Sequence, residues 1–130
     1  MAKILVIDDE DRLRRMIRRV LAGAGHEVIE AGNGDEGLRQ FAIEKPDTVV
    51  TDILMPQKEG IETIKDLRRM NAAVWIVAIS GGGSSHNMMF LDFAKSLGAD
   101  AALAKPFRAE ELLAAVERRP GVKPPARAAG

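Results

Sequence analysis

Short apolar runs alternate along this chain with stretches in which apolar residues return every three or four positions. Lys3 to Ile7 is nearly continuously apolar, the pattern of a strand buried on both faces of a parallel sheet. From Glu10 the period changes: Leu13, Met16, Ile17, Val20 and Leu21 fall at helical spacing, and Gly23 and Gly25 supply stop signals. His26 to Ala31 reads as a second strand. Asn33 and Glu36 then form a capping-box-like pair that opens a helix carrying Leu38, Phe41 and Ala42. Thr48 to Asp52 is a third strand rich in β-branched residues, and Pro56 marks a loop beyond it. Gly60 leads into Ile61, Ile64 and Leu67, one face of a third helix. Val74 to Ile79, apolar throughout, is expected in the middle of the sheet. Ser80 ends it, and the following Gly81-Gly82-Gly83-Ser84-Ser85 is expected to be a mobile loop. A helix with Met88, Met89, Leu91, Phe93 and Leu97, a weak strand from Asp100 to Ala104 and a last helix from Glu110 to Arg119 complete the pattern.

Five strands alternating with five helices imply an α/β fold: a doubly wound five-stranded parallel sheet with helices on both faces and right-handed crossovers. Residues 1–119 form one domain in this reading, and 120–130, rich in Pro, Ala and Gly, form a flexible tail. Nineteen basic residues balance nineteen acidic ones, so the chain lacks the electrostatic footprint of a nucleic-acid binder, and no direct DNA binding is expected. With no cysteine, neither a disulfide nor a thiolate metal site can hold the fold. No apolar run reaches membrane-spanning length, and Met1-Ala2-Lys3-Ile4 enters a strand at once, so a cytoplasmic location is expected.

The candidate chemistry gathers at strand ends, where open α/β sheets bind ligands. Asp8 and Asp9 follow the first strand, Asp52 ends the third, Ser80 the fourth, and Lys105 follows the fifth. Carboxylates crowded into one space raise one another's pKa unless a cation neutralises them, and oxygen-only ligands suit Mg2+. Each residue also has a bland use: an Asp can cap the first helix, a serine favours turns, and a lysine can be a salt-bridge partner. Lys105-Pro106 is also a candidate cis bond.

Taken together, Asp8-Asp9, Asp52-Ile53-Leu54-Met55-Pro56 with Gly60, Ile79-Ser80, Gly98-Ala99 and Lys105-Pro106-Phe107 resemble the receiver domain of two-component response regulators, over residues 3 to about 119. The resemblance implies a flavodoxin-like sheet of strand order 2-1-3-4-5. It implies that Asp52 is a phosphoacceptor, loaded by a sensor histidine kinase or a histidine phosphotransfer protein. It implies Mg2+ held by Asp9, Asp52 and the Leu54 carbonyl, with Asp8 acting through water, and Ser80 and Lys105 touching the phosphoryl group. The expected protein is a stand-alone signalling switch, a monomer or weak dimer that catalyses its own aspartyl phosphorylation and acts by contact with a downstream protein target. The fourth helix, last strand and last helix are the family's usual output surface.

Three departures bear on that expectation. The aromatic residue that receivers carry three positions before the lysine is Ala102 here, so the hydroxyl-to-aromatic relay is missing. The segment between Ser80 and Gly98 is a few residues longer than usual. Leu54 and Gly82 place no polar side chain to orient a hydrolytic water, which implies a long-lived phosphoryl group. Arg12, Arg15 and Arg19 line one side of the first helix with Arg14 and Arg18 beside them, a face that on its own reads as solvated; the resemblance implies that kinases and phosphotransfer proteins dock there, and a basic face then suits an acidic partner. His26 and His86 lack metal-type spacing and read as structural or exposed, and Trp75 as packing. The rival motif is Gly32-Asn33-Gly34-Asp35-Glu36-Gly37, which matches a dinucleotide-binding loop, but Asp35 and Glu36 would repel a pyrophosphate. A phosphatase with an aspartyl nucleophile needs a D-x-D motif, which neither Asp8 nor Asp52 begins, and a non-phosphorylated interaction scaffold leaves the five site residues without a use.

Overall fold

The computed structural model describes residues 2–53, 60–80, 92 and 95–118, with Ser80 described in its backbone alone. Five parallel strands, β1 (Lys3–Ile7), β2 (Glu27–Ala31), β3 (Thr48–Asp52), β4 (Trp75–Ser80) and β5 (Ala101–Ala104), form one sheet in the order β2-β1-β3-β4-β5. The helices are α1 (Asp11–Gly23), α2 (Gly34–Glu44), α3 (Gly60–Met70) and α4 (Ala109–Glu117). The fold is therefore the flavodoxin-like one expected. The glycine-rich loop after Ser80, most of the helix expected over Met88 to Leu97, and the tail lie outside the described residues.

Period-two alternation along the strands divides the core into two layers. Leu5, Ile7, Val49, Ile76 and Ala78 face one way and pack with Phe41 of α2 and Ile64 and Leu67 of α3. Ile4, Val6, Val50, Val77 and Ile79 face the other and pack with Ile17 and Leu21 of α1 and Leu112, Ala115 and Val116 of α4. In β1, Ile4 to Ile7 are all fully buried, each such side chain contributing roughly 2 kcal/mol before conformational entropy is charged. The middle strands are thus a rigid platform, and their ends are fixed in space.

Element boundaries differ from the sequence pattern where a side chain or backbone group has another use. His26 precedes β2: its N–H goes to the Leu21 carbonyl at the end of α1, and its buried ring takes the Ala2 N–H on Nδ1 at 3.0 Å. Asp100 stays outside β5 because its carboxylate accepts the Ile76 N–H and pairs with Arg68, both at 2.8 Å. Trp75 does more than pack, since its indole N–H donates to the Ala115 carbonyl of α4 at 2.9 Å. The capping pair is realised on one side: Asn33 Oδ1 accepts the Glu36 N–H at 2.8 Å, while the Glu36 carboxylate reaches back past Asn33 to the Gly32 N–H.

Candidate functional site

The parallel pairing of β1 with β3, Ile7 opposite Thr51, brings the turn after β1 alongside the end of β3. One carboxylate oxygen from each of Asp8, Asp9 and Asp52 lies within 4.8 Å of the others. Asp8 and Asp52 are buried, at 1% and 4% exposure, and Asp9 is exposed. Lys105, directly after β5, reaches across the end of β4 to place Nζ 3.0 Å from Asp52 Oδ2. The Lys105–Pro106 peptide bond is cis.

Electrostatics follow from this packing. Burial, with the charges of Asp52 and Asp9, raises the Asp8 pKa from 3.8 to about 6, against the lowering effects of the Glu10 N–H and Lys105. Burial works to lower the pKa of Lys105, but its hydrogen bond to Asp52 and the charges of Asp52, Asp8 and Glu10 raise it above the ordinary lysine value. Lys105 is therefore a fixed cation. Helix capping does not account for Asp8: Oδ1 accepts the Glu10 N–H at 2.8 Å, a local turn, and the helix begins one residue later with no side-chain cap. Its Oδ2 is buried with no hydrogen-bond partner among the described residues. A buried carboxylate oxygen in that position, beside two more carboxylates, fits a hard cation with oxygen ligands.

The structure thus brings Asp8, Asp9, Asp52 and Lys105 together. The backbone of Ser80 joins them at the same sheet edge, paired with Ala104, while its hydroxyl and all of Leu54 and Gly82 lie outside the described atoms. Ala102 sits on β5 opposite Ala78, so no aromatic ring occupies that position.

Two residues beside the site have structural uses that the sequence pattern does not show, Gly60, already part of the motif, and Arg14. Gly60 opens α3 directly against the end of β3, donating its N–H to the Ile53 carbonyl at 2.7 Å. A Cβ there would lie 2.0 Å from the Asp52 carbonyl oxygen. Arg14 turns inward rather than joining the basic face, donating to the Asp8 carbonyl at 2.9 Å. Its place three and seven residues before Ile17 and Leu21, on the buried stripe, is the signal that separates it from its neighbours.

The rival glycine loop is used otherwise. The Gly32 N–H is taken by Glu36, and a Cβ on Gly37 would lie 2.4 Å from Ile7 Cδ1, so that glycine serves close helix–strand packing. Beside Lys105, Glu10, Arg12, Leu13, Met16, Pro106 and Phe107 line an open groove of about 460 Å³. No described helix is long and apolar enough to cross a membrane.

Comparison with known proteins agrees with this geometry. Residues 4–117 match the family model described as the response regulator receiver domain. The KDP operon transcriptional regulatory protein KdpE of Escherichia coli is 39% identical over 114 residues, covering 88% of this chain and 49% of KdpE. Chemotaxis protein CheY of Bacillus subtilis is 34% identical over 117 residues, covering 89% of this chain and 95% of CheY. A crystal structure of a response regulator receiver domain protein from Clostridium thermocellum superposes with a TM-score of 0.83 at 31% identity, covering 92% of this chain and 94% of that one. The chain spans about half the length of the transcriptional regulators it matches and nearly all of CheY.

Proposed function

Since this chain belongs to the response regulator receiver domain family of two-component systems, we propose that it accepts a phosphoryl group on Asp52 from a sensor histidine kinase or a histidine phosphotransfer protein. One observation carries the reading: three carboxylates from two neighbouring strand ends share one small space, with Lys105 bonded to the buried Asp52 at the end of β3.

An Asp52 carboxylate oxygen attacks phosphorus, forming a P–O bond while the P–N bond to the donor's histidine breaks and the released nitrogen takes up a proton. Such a transfer needs alignment and charge neutralisation more than proton movement by the protein. Lys105 orients Asp52 and is placed to follow the negative charge onto a phosphoryl oxygen. The hydroxyl of Ser80 would bond a second one. Asp8, Asp9, Asp52 and the Leu54 carbonyl would hold Mg2+, which when bound neutralises the carboxylates and the incoming phosphoryl oxygens.

The groove between α1 and the turn carrying Phe107 includes Lys105 and offers Leu13 and Met16 beside the charged Arg12 and Glu10, the features of a seat for the donor protein. The downstream contact is with another protein. A switch of this kind serves either setting found among the relatives, a lone receiver the length of CheY or one attached to a transcriptional regulator.

The test is intact-protein mass spectrometry after incubation with acetyl phosphate and Mg2+, comparing wild type, Asp52→Ala and an EDTA control. A single phosphoryl adduct in wild type, absent from the other two, is expected. A folded, Mg2+-binding wild type without the adduct would favour the scaffold reading.

A further inference from the structure

Arg14 is nearly enclosed, its side chain 14% exposed, and its guanidinium makes two ionic contacts, to β2 and to its own helix, and one to a backbone carbonyl in the turn after β1. Nε bonds Glu30 of β2 at 2.9 Å, one terminal nitrogen bonds Asp11 of α1 at 2.8 Å, and the other donates to the carbonyl of Asp8 at 2.9 Å. The planar guanidinium suits such a three-way role, since its donors diverge in a fixed fork. Burial works to lower its pKa, but the bonds to Glu30 and Asp11 outweigh it, so the fork is permanently charged.

The consequence is clearest from Asp8. Its N–H donates to the Ala31 carbonyl at 3.1 Å, its carbonyl is held by Arg14, and Oδ1 holds the Glu10 N–H. Every polar atom but Oδ2 is committed, and Oδ2 is buried with no hydrogen-bond partner among the described residues, on a carboxylate that belongs to the acidic cluster. Three carboxylates within 4.8 Å repel one another, and a turn free to move would swing Asp8 and Asp9 apart from Asp52. The Arg14 bond to the Asp8 carbonyl opposes that movement from outside the cluster. Glu30 and Asp11 balance the guanidinium charge, so Arg14 fixes the turn without opposing a cation at the site.

We propose that Arg14 is a positioning residue that holds the Asp8-Asp9 turn in its cation-ready form, anchored through Glu30 and Asp11. This inference rests on the functional reading above, in that the cation is Mg2+. Loss of the fork makes cation binding restore the turn at each event, so affinity falls while the bound site is unchanged. Partners that orient a metal ligand typically change affinity by about 10- to 100-fold.

The experiment is calorimetric titration with Mg2+ of wild type, Arg14→Gln, Arg14→Lys and Glu30→Gln, with thermal melts of each without metal. The expected result is a Kd raised about tenfold in Arg14→Gln and less in Arg14→Lys, whose single ammonium keeps the charge but not the fork. Phosphorylation by acetyl phosphate should keep its maximal rate and shift only in its Mg2+ requirement. Should Arg14→Gln fail to fold, Glu30→Gln tests the same anchor from β2 and is expected to weaken Mg2+ in the same direction. Lower melting temperatures with wild-type Kd in the folded variants would overturn the inference and leave Arg14 a structural residue. A wild type that binds no Mg2+ would overturn the functional reading, and the inference with it.

Discussion

The two ends of the sheet treat buried charge in opposite ways. At the end where the strands begin, acidic groups face basic groups or backbone donors, though His26 Nε2 and Glu117 Oε2 stand beyond hydrogen-bond distance of each other. His26 accepts the Ala2 N–H and turns Nε2 toward Glu117 at 3.6 Å, Asp47 accepts the Lys3 N–H and the Thr48 hydroxyl, and Asp100 holds Arg68. Where the strands finish, like charges are gathered, and Asp8 keeps a buried oxygen with no partner among the described residues. An unsatisfied buried polar group costs about 1–3 kcal/mol and more when charged. The first end is built to hold the sheet together. The second gives up stability to keep a place ready for a cation and a phosphoryl group.

The largest disturbance of that contrast comes from filling space at the functional end. Gly60→Ala would drive a methyl into the backbone of Asp52 and Ile53, so the start of α3 must move. A loss of about 3 kcal/mol or more is expected in denaturant unfolding, at or beyond the upper end typical of overpacked sites, because the clash is with backbone. An unchanged midpoint would mean that α3 is not held there.

Next, His26→Ala at the opposite end removes the ring that faces the buried Glu117 carboxylate. About 3 kcal/mol of stability should be lost, with Mg2+ affinity and phosphorylation intact wherever the protein is folded. Loss of Mg2+ binding in the folded variant would show that the two ends are coupled.

A smaller effect of opposite sign is expected from Asp8→Asn. With its pKa raised to about 6, Asp8 holds its proton more tightly in the folded state than in the unfolded one. Between roughly pH 4 and 6 the folded state therefore binds more protons, and stability falls as pH rises through that window. Asp8→Asn should flatten that slope, stabilise the metal-free protein by about 1 kcal/mol at neutral pH and weaken Mg2+ binding. Melting curves from pH 4 to 8 with and without Mg2+ measure both, and a destabilised variant at pH 7 would refute the account of Asp8.

The smallest change belongs to Arg69→Ala. That side chain is 78% exposed and pairs over one helical turn with Asp66, so less than about 0.5 kcal/mol is expected. A larger loss would show that outer charges carry stability here.

Most of the architecture was legible because strand and helix periods are distinct and each strand stops at a polar or turn-forming residue. Asp52, the end of β3, and Lys105, after β5, could be placed at one edge once the strands were taken as parallel. Arg14 was less legible, and so was the steric reason for Gly60, whose position the motif had already marked. Five arginines in eight positions look alike until the burial of Ile17 and Leu21 fixes which way α1 faces, and the tight approach of α3 to β3 depends on a contact between segments, not on a local pattern. Trp75 shows the same limit, since its partner is a carbonyl forty residues along the chain.

The strand order has a consequence for how the chain folds. β1 lies between β2 and β3, and Ile4 pairs with Thr48, so the first strand made has one edge open until the third arrives. Pairing across such a separation requires closing a long loop before any contact rewards it, which slows folding and leaves an apolar strand exposed meanwhile. The acidic cluster draws its members from the ends of those same two strands. It therefore comes into being only when the centre of the sheet closes, and a half-folded chain carries the aspartates without the site.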